Sequence, residues 1–193
     1  MTFLDQWGRA RGETGVGFNL LLVVAGAMLM TLSAKFQVPL YPVPLSMQTL
    51  VAIGLGFALG PVLGATAVLA FLLQGAAGLP VFAGTPQNGI GLAYMMGPTG
   101  GYLLGFVLAA FVAGTLVRAG LAKSMVGTLA IALAAGASVY LPGLLWLSGF
   151  VGAGAGLLEA GLYPFIPGDI VKAAIAALAF PAIGRALARI ADR

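Results

Sequence analysis

The residues best suited to chemistry are an acid and a base three positions apart in the sequence, Asp169 and Lys172. They follow Pro167 at the head of an apolar segment that runs to about Ile183. Proline is favoured in the first turn of a helix, so we predict a helix with Asp169 in its first turn and both charged side chains on one face. The positive end of the helix dipole stabilises a carboxylate at that position.

The chain as a whole is far more apolar than a soluble domain. Its 193 residues are 61% hydrophobic and 7% charged, against roughly 45–50% apolar and about 25% charged residues in soluble domains. This composition predicts an integral membrane protein. Charges inside a membrane usually face a cavity or a ligand, so Asp169 and Lys172 indicate a buried ligand site; the alternative is a self-neutralising pair at the membrane boundary.

Several classes of chemistry are disfavoured by residues that the sequence lacks. It contains no Cys and no His, which removes thiol chemistry, the commonest metal ligand and the usual acid–base group at neutral pH. It has no phosphate-binding loop for ATP and no paired acids at useful spacing. We therefore expect neither an enzyme nor a metal or cofactor site, and we expect any energy for pumping to come from partner proteins.

The length of the chain allows about six membrane spans of ~20 residues each. We predict an all-α integral membrane protein with six transmembrane helices in a compact bundle, forming one domain over residues 1–193. Residues 1–17 are predicted to be a cytoplasmic arm. The predicted spans are 18–34, 46–60, 61–77, 99–117, 125–147 and 166–184.

The second and third spans are separated on the basis of length and charge. Residues 46–77 would form a helix of about 48 Å, too long for a bilayer core of about 30 Å, and Gly60-Pro61 offers a break. With two spans here, Lys35 is the only basic residue in a loop on the outer side, and both termini are cytoplasmic by the positive-inside rule. The basic residues then on the cytoplasmic side are Arg9, Arg11, Arg118, Lys123, Arg185, Arg189 and Arg193. Because they flank apolar segments, they report membrane orientation and not nucleic-acid binding.

The loop after the first span ends in polar residues that face the outer side. Three prolines between Lys35 and Ser46 forbid a continuous helix. Ser46 is predicted to cap the next helix, which places Gln48 and Thr49 in its first turn at the outer end of the bundle. We count Gln48 and Thr49 among the candidate ligand-binding residues.

A second outer loop, residues 78–98, carries no charge and is rich in Gly and Pro. Long loops of this kind are usually lids or binding loops, and its apolar content argues against disorder. Gln87, Asn88 and Tyr94 could form directional hydrogen bonds with a ligand; the alternative is that they satisfy the backbone of the loop itself.

Four motifs occur in order along the chain: VPLYPVPLSMQTL (38–50), GLPVFAG (78–84), GPTGGY (97–102) and PGDIVK (167–172). With these motifs the chain resembles the BioY family, the biotin-binding substrate-capture subunits of energy-coupling-factor (ECF) transporters. The resemblance implies a multi-pass, six-helix protein of the cell membrane that binds biotin from the outside. It also implies two kinds of partner, a transmembrane coupling protein and ABC-type ATPases.

Matched position by position, the resemblance assigns the family's acid and base of the last helix to Asp169 and Lys172. It assigns the family's loop Asn and Tyr to Asn88 and Tyr94. The chemistry of biotin agrees, because a carboxylate such as Asp169 can accept hydrogen bonds from ureido N–H groups. Lys172 could either neutralise the anionic tail of the ligand or hold Asp169 in place.

Aromatic side chains would supply the apolar walls that a small-molecule pocket needs. The candidates are Phe36, Phe82 and Tyr94. A second function class stays open at this point, a self-sufficient secondary carrier or facilitator for biotin or another small vitamin-like solute, with Asp169 as its proton site.

Overall fold

The computed structural model describes the backbone of residues 15–191 and the side chains of residues 15–183. Residues 1–14 of the predicted arm and the side chains of Arg185, Arg189 and Arg193 lie outside this part. The helices are α1 (Val16–Lys35), α2 (Gln48–Ala76), α3 (Gly91–Met95), α4 (Gly100–Arg118), α5 (Met125–Ser138), α6 (Tyr140–Val151), α7 (Ala155–Gly161) and α8 (Ile166–Ala191), with a 3₁₀ turn at Leu121–Lys123. Strands β1 (Gln37–Val38) and β2 (Leu45–Ser46) form an antiparallel hairpin between α1 and α2.

Five stretches of the described chain are long and apolar enough to cross a membrane. They are Val16–Lys35, Gln48–Ala76, Gly100–Arg118, Met125–Val151 and Ile166–Ile183. Their apolar outer faces include Leu20, Leu32, Leu73, Leu145 and Leu178, each more than half exposed. Such faces suit contact with lipid, so the chain is a multi-pass, helical membrane protein.

Helix α2 reverses direction at Gly60. This residue has φ 82° and ψ −178°, a conformation that only glycine adopts readily, and Pro61 follows it. A Cβ built on Gly64 would lie 2.9 Å from the carbonyl oxygen of Leu55, although nine residues of straight helix span about 13.5 Å. The two arms of α2 therefore fold back against each other.

Glycines also set the closest approach between α2 and α4. A Cβ on Gly56 would collide with the backbone of Ala110, and a Cβ on Gly114 would collide with the backbone of Gly60 and Pro61. Small residues allow helix backbones to approach closely where lipid supplies no hydrophobic drive for association. The reversal at Gly60 is thus packed directly against the C-terminal part of α4.

A break separates α5 from α6 at Val139, within one of the apolar stretches. Pro142 has no N–H to donate to the carbonyl of Ser138, which interrupts the helical ladder at this point. The break places Tyr140 in the first turn of α6. Helix α6 is tied to the loop before α4, because the indole N–H of Trp146 donates to the carbonyl oxygen of Gly97 at 2.9 Å.

Two local expectations differ from the structure. The N-cap of α2 is Met47 and not Ser46, although the Ser46 hydroxyl still accepts from the backbone N–H of Gln48 at 3.4 Å. The outer loop over residues 78–98 contains the short helix α3, so it is more ordered than its Gly and Pro content indicated. The count of six spans stays a prediction and is taken up below.

The contact between α2 and α4 is testable with Gly114→Ala. The new methyl group would meet backbone atoms, which cannot move aside as a flexible side chain would, so we expect a loss of about 1–3 kcal/mol of stability. The measurement is the midpoint of thermal unfolding in detergent. Gly149→Ala is the matched control, because Gly149 lies in α6 with no atom within 4 Å of the added Cβ. Equal midpoints for the two variants would contradict the packing described here.

Candidate ligand-binding site

The acid–base pair of the last helix forms a direct ion pair. Lys172 Nζ donates to Asp169 Oδ1 at 3.0 Å, with Asp169 in the first turn of α8. Lys172 is only 6% exposed, whereas the Asp169 side chain is 20% exposed. A buried ammonium needs a carboxylate or several acceptors nearby, so the position of Asp169 is dictated by the burial of Lys172.

The other carboxylate oxygen of Asp169 is held by a residue that sequence reasoning missed. The Tyr140 hydroxyl donates to Asp169 Oδ2 at 2.5 Å. The Tyr140 ring packs edge-on against Tyr102 and Phe165, with centroids 6.2 Å and 6.4 Å away. The only signal in the sequence was a hydroxyl-bearing aromatic residue inside an apolar run, since the partner of Tyr140 lies 29 positions away.

The first turn of α2 brings a buried amide to the same place. Gln48 is 2% exposed, and its Oε1 accepts from the Ser46 hydroxyl at 3.1 Å. Gln48 Nε2 has no hydrogen-bond partner among the described residues. A buried, unpaired N–H donor costs about 1–3 kcal/mol, so this group is suited to an acceptor brought by a ligand.

These groups surround one cavity, whose empty volume of about 470 Å³ includes space open to solvent. Four of the predicted binding residues line it, and the residues around them come from the hairpin, the outer loop, helices α4, α5 and α6, and the segment just before α8. The predicted residues are Asp169, Lys172, Gln48 and Thr49, and the others include Val43, Leu45, Ser46, Ala83, Thr99, Tyr102, Phe106, Val139, Tyr140 and Phe165. The wall is mainly apolar with a few convergent polar groups, as in small-molecule sites.

The other four predicted residues do not line the cavity. Phe82 is fully buried behind the wall and stacks on Tyr94 with ring centroids 4.9 Å apart. Asn88 is exposed on the outer loop, and Phe36 is 71% exposed at the end of α1. Their part in binding stays a prediction, and Ala83 is the residue through which the outer loop contributes to the cavity wall.

Tyr94 carries a second unpaired polar group. It is 5% exposed, and its hydroxyl has no hydrogen-bond partner within the described part of the chain. Burial raises the pKa of the Tyr94 phenol above its ordinary value. Thr99, a residue of the cavity wall, lies close enough to the phenol to offset part of that rise in pKa.

No cluster of three or more metal-ligating side chains occurs among residues 15–183. The polar groups of the cavity are instead one carboxylate, one ammonium, one carboxamide, the phenols of Tyr102 and Tyr140, and the hydroxyls of Ser46, Thr49 and Thr99. Together they can donate to and accept from a neutral polar group in the ligand. Because Lys172 and Tyr140 both bind the Asp169 carboxylate, the arrangement is suited to recognition of a ligand by hydrogen bonds.

Comparison with known proteins gives consistent matches over most of the chain. Residues 13–189 match the sequence model of the BioY family. A probable biotin transporter BioY from Pyrococcus horikoshii is 39% identical over 158 residues, covering 81% of this chain and 90% of that protein. The biotin transporter BioY of Thermotoga maritima is 36% identical over 159 residues, covering 81% of this chain and 91% of that protein.

A solved structure is similar in fold as well as in sequence. It is the 2.1 Å crystal structure of the S-component for biotin from an ECF-type ABC transporter. Its TM-score to this chain is 0.74 with 28% sequence identity, and the match covers 89% of this chain and 90% of that one.

The ion pair at the centre of the site is testable by a double-mutant cycle with Asp169→Asn, Lys172→Met and the double variant. Each single change leaves one partner without its counter-charge, so we expect a coupling of about 1–3 kcal/mol in the free energy of unfolding. A control cycle uses Glu159→Gln and Lys123→Met, two exposed charges on different elements, and should give a coupling near zero. Equal coupling energies in the two cycles would show that the Asp169–Lys172 ion pair does not stabilise the folded protein.

Proposed function

The chain belongs to the BioY family, and from that premise we propose that it is a membrane-embedded biotin-binding subunit that mediates biotin uptake. It is a transport protein and not an enzyme. Biotin is its transported substrate, and no cofactor is indicated. The energy comes from a separate module, a transmembrane coupling protein with ABC-type ATPases, in which this chain is the substrate-capture component.

The observation that carries the proposal is a buried, unpaired amide donor that shares one largely apolar cavity with a carboxylate. Gln48 Nε2 is a buried donor without an acceptor among the described residues, and it lies in the same wall as the Asp169 carboxylate. The ureido ring of biotin offers one carbonyl acceptor and two N–H donors. Gln48 can donate to the carbonyl, and Asp169 can accept from an N–H, which leaves the apolar walls to contact the thioether ring.

The contacts of Lys172 favour one of its two possible roles. Its ammonium lies 3.0 Å from Asp169 and keeps that carboxylate paired in a site largely shielded from water. An anionic tail close to Asp169 would be repelled by it. We therefore assign Lys172 to holding Asp169 as an acceptor, with the carboxylate tail of biotin directed away from the pair.

The proposed membrane arrangement has six spans in the cell membrane with both termini in the cytoplasm. Both ends of α2 lie near the end of α1, because Ser46 pairs with Gln37 and Lys35 Nζ bonds to the carbonyl of Pro80. A helix that enters and leaves at the same end supports two short spans over 46–60 and 61–77. Arg118 and Lys123 then share one side, and Lys35 lies on the other.

Binding should depend on Asp169 and Gln48. We expect Asp169→Asn to lower the affinity for biotin about ten- to a hundredfold, since hydrogen bonds to charged groups are worth about 1.5–3 kcal/mol. Gln48→Leu removes only the carboxamide and should lower affinity about five- to tenfold. Calorimetric titration of the detergent-solubilised protein measures both.

The control for this titration is Glu159→Gln, which neutralises an exposed acid that does not line the cavity. Its affinity should equal that of the parent protein. Unchanged affinity in Asp169→Asn, with the control also unchanged, would remove Asp169 from the binding site.

The energy source is tested by uptake into proteoliposomes. Because the sequence has no phosphate-binding loop for ATP, we expect this chain alone to bind biotin without accumulating it. Addition of the coupling protein, the ATPases and ATP should produce accumulation. Concentrative uptake by this chain alone, driven by a proton gradient, would favour the secondary carrier instead.

A further inference from the structure

We propose that Lys35 is a positioning residue for ligand capture, because its ammonium holds the outer loop over residues 78–90 in the shape that walls the cavity. The effect of Lys35 on biotin binding rests on the proposed function, whereas its contact with the outer loop does not. Lys35 is the last residue of α1 and lies outside the cavity itself.

Three oxygen atoms of the loop converge on the Lys35 ammonium. Lys35 Nζ donates to the carbonyl oxygen of Pro80 at 2.7 Å, to the carbonyl oxygen of Phe82 at 3.2 Å and to Thr85 Oγ1 at 3.2 Å. An ammonium has three N–H donors, so each of them has an acceptor in one loop. The Thr85 hydroxyl also donates to the carbonyl oxygen of Phe82 at 2.7 Å, which links two of the three acceptors.

The chemistry of the loop explains why a cation is needed at this point. Residues 78–90 contain no charged side chain, and two backbone carbonyls directed at one point repel each other unless a donor or cation lies between them. Lys35 supplies that cation from 45 to 50 positions away in the sequence. Hydrogen bonds to a charged donor are stronger than those between neutral groups.

The loop is held from its inner side as well. Phe82 is fully buried between Phe71 and Tyr94, with ring centroids 5.4 Å and 4.9 Å away. It fits there because residue 75 is glycine, and any Cβ on Gly75 would collide with its ring. Phe82 therefore anchors the loop in the core, while the ammonium fixes the carbonyl of the same residue from outside.

The residue held between these two anchors belongs to the cavity wall. Ala83 follows Phe82, precedes the Thr85 contact by two positions, and lines the cavity with Asp169 and Gln48. Only Phe36 separates Lys35 from the hairpin whose residues Val43–Ser46 line the same cavity. One ammonium thus sets the position of the loop wall relative to the hairpin wall, and its loss should let the bound ligand escape sooner.

The experiment compares the full-length protein with Lys35→Met, which keeps the length of the side chain and removes its donors. Without ligand, the rate of hydrogen–deuterium exchange in residues 78–90 should be about tenfold higher in the variant, because a hydrogen bond to a charged group is lost. The exchange rate in α4 should stay unchanged. Biotin should dissociate about tenfold faster from the variant, with little change in its association rate. Lys35→Arg keeps the charge and the donors. Its exchange rate in residues 78–90 and its biotin dissociation rate should therefore lie closer to those of the parent protein.

Lys123→Met is the matched control, because Lys123 is an exposed lysine in the 3₁₀ turn before α5. It should behave like the parent protein. Exchange in residues 78–90 that is unchanged by Lys35→Met, or raised equally in α4, would overturn the proposal. If the parent protein fails to bind biotin, the proposed function fails, and the exchange of the loop still decides whether Lys35 holds it.

Discussion

The site depends on one constraint, the burial of the Lys172 ammonium in the largely apolar interior of a membrane protein. An unpaired charge there is too costly to keep, so a carboxylate must stay beside it. Asp169 fills that role from one turn earlier on α8, and Tyr140 fixes its second oxygen from α6. The same pairing leaves Asp169 able to accept from a neutral donor, which is the property that a ureido-binding site requires.

Glycines allow the helices to bring these groups together. The reversal at Gly60 returns α2 to the end where it began, so that Gln48 and the loop after α2 face the same cavity. Close contact of Gly56 and Gly114 with neighbouring backbone fixes α2 against α4. The rigid part of the site is therefore built on helices, whereas the hairpin and the outer loop supply a wall that other contacts must hold.

Four polar residues that line the cavity were singled out from the sequence. Asp169 and Lys172 stood out because charges are rare in apolar segments, and Gln48 and Thr49 followed from the helix start after three prolines. Tyr140 was missed because its role depends on a hydrogen bond to Asp169, which lies 29 positions later on a different helix. Asn88 was assigned to the ligand as a hydrogen-bonding loop residue that the family resemblance also matches, and Phe82 as an aromatic wall; both assignments stay predictions. The buried position of Phe82 depends on Gly75 and Tyr94, contacts that no local pattern encodes.

The most direct test of the proposed biotin site is a structure of the protein with biotin bound. We expect density for the ureido ring in the cavity, within hydrogen-bond distance of the Asp169 carboxylate and Gln48 Nε2, with the carboxylate tail directed away from Asp169. Biotin bound elsewhere on the protein, or in the cavity with its ureido ring remote from Asp169, would contradict it.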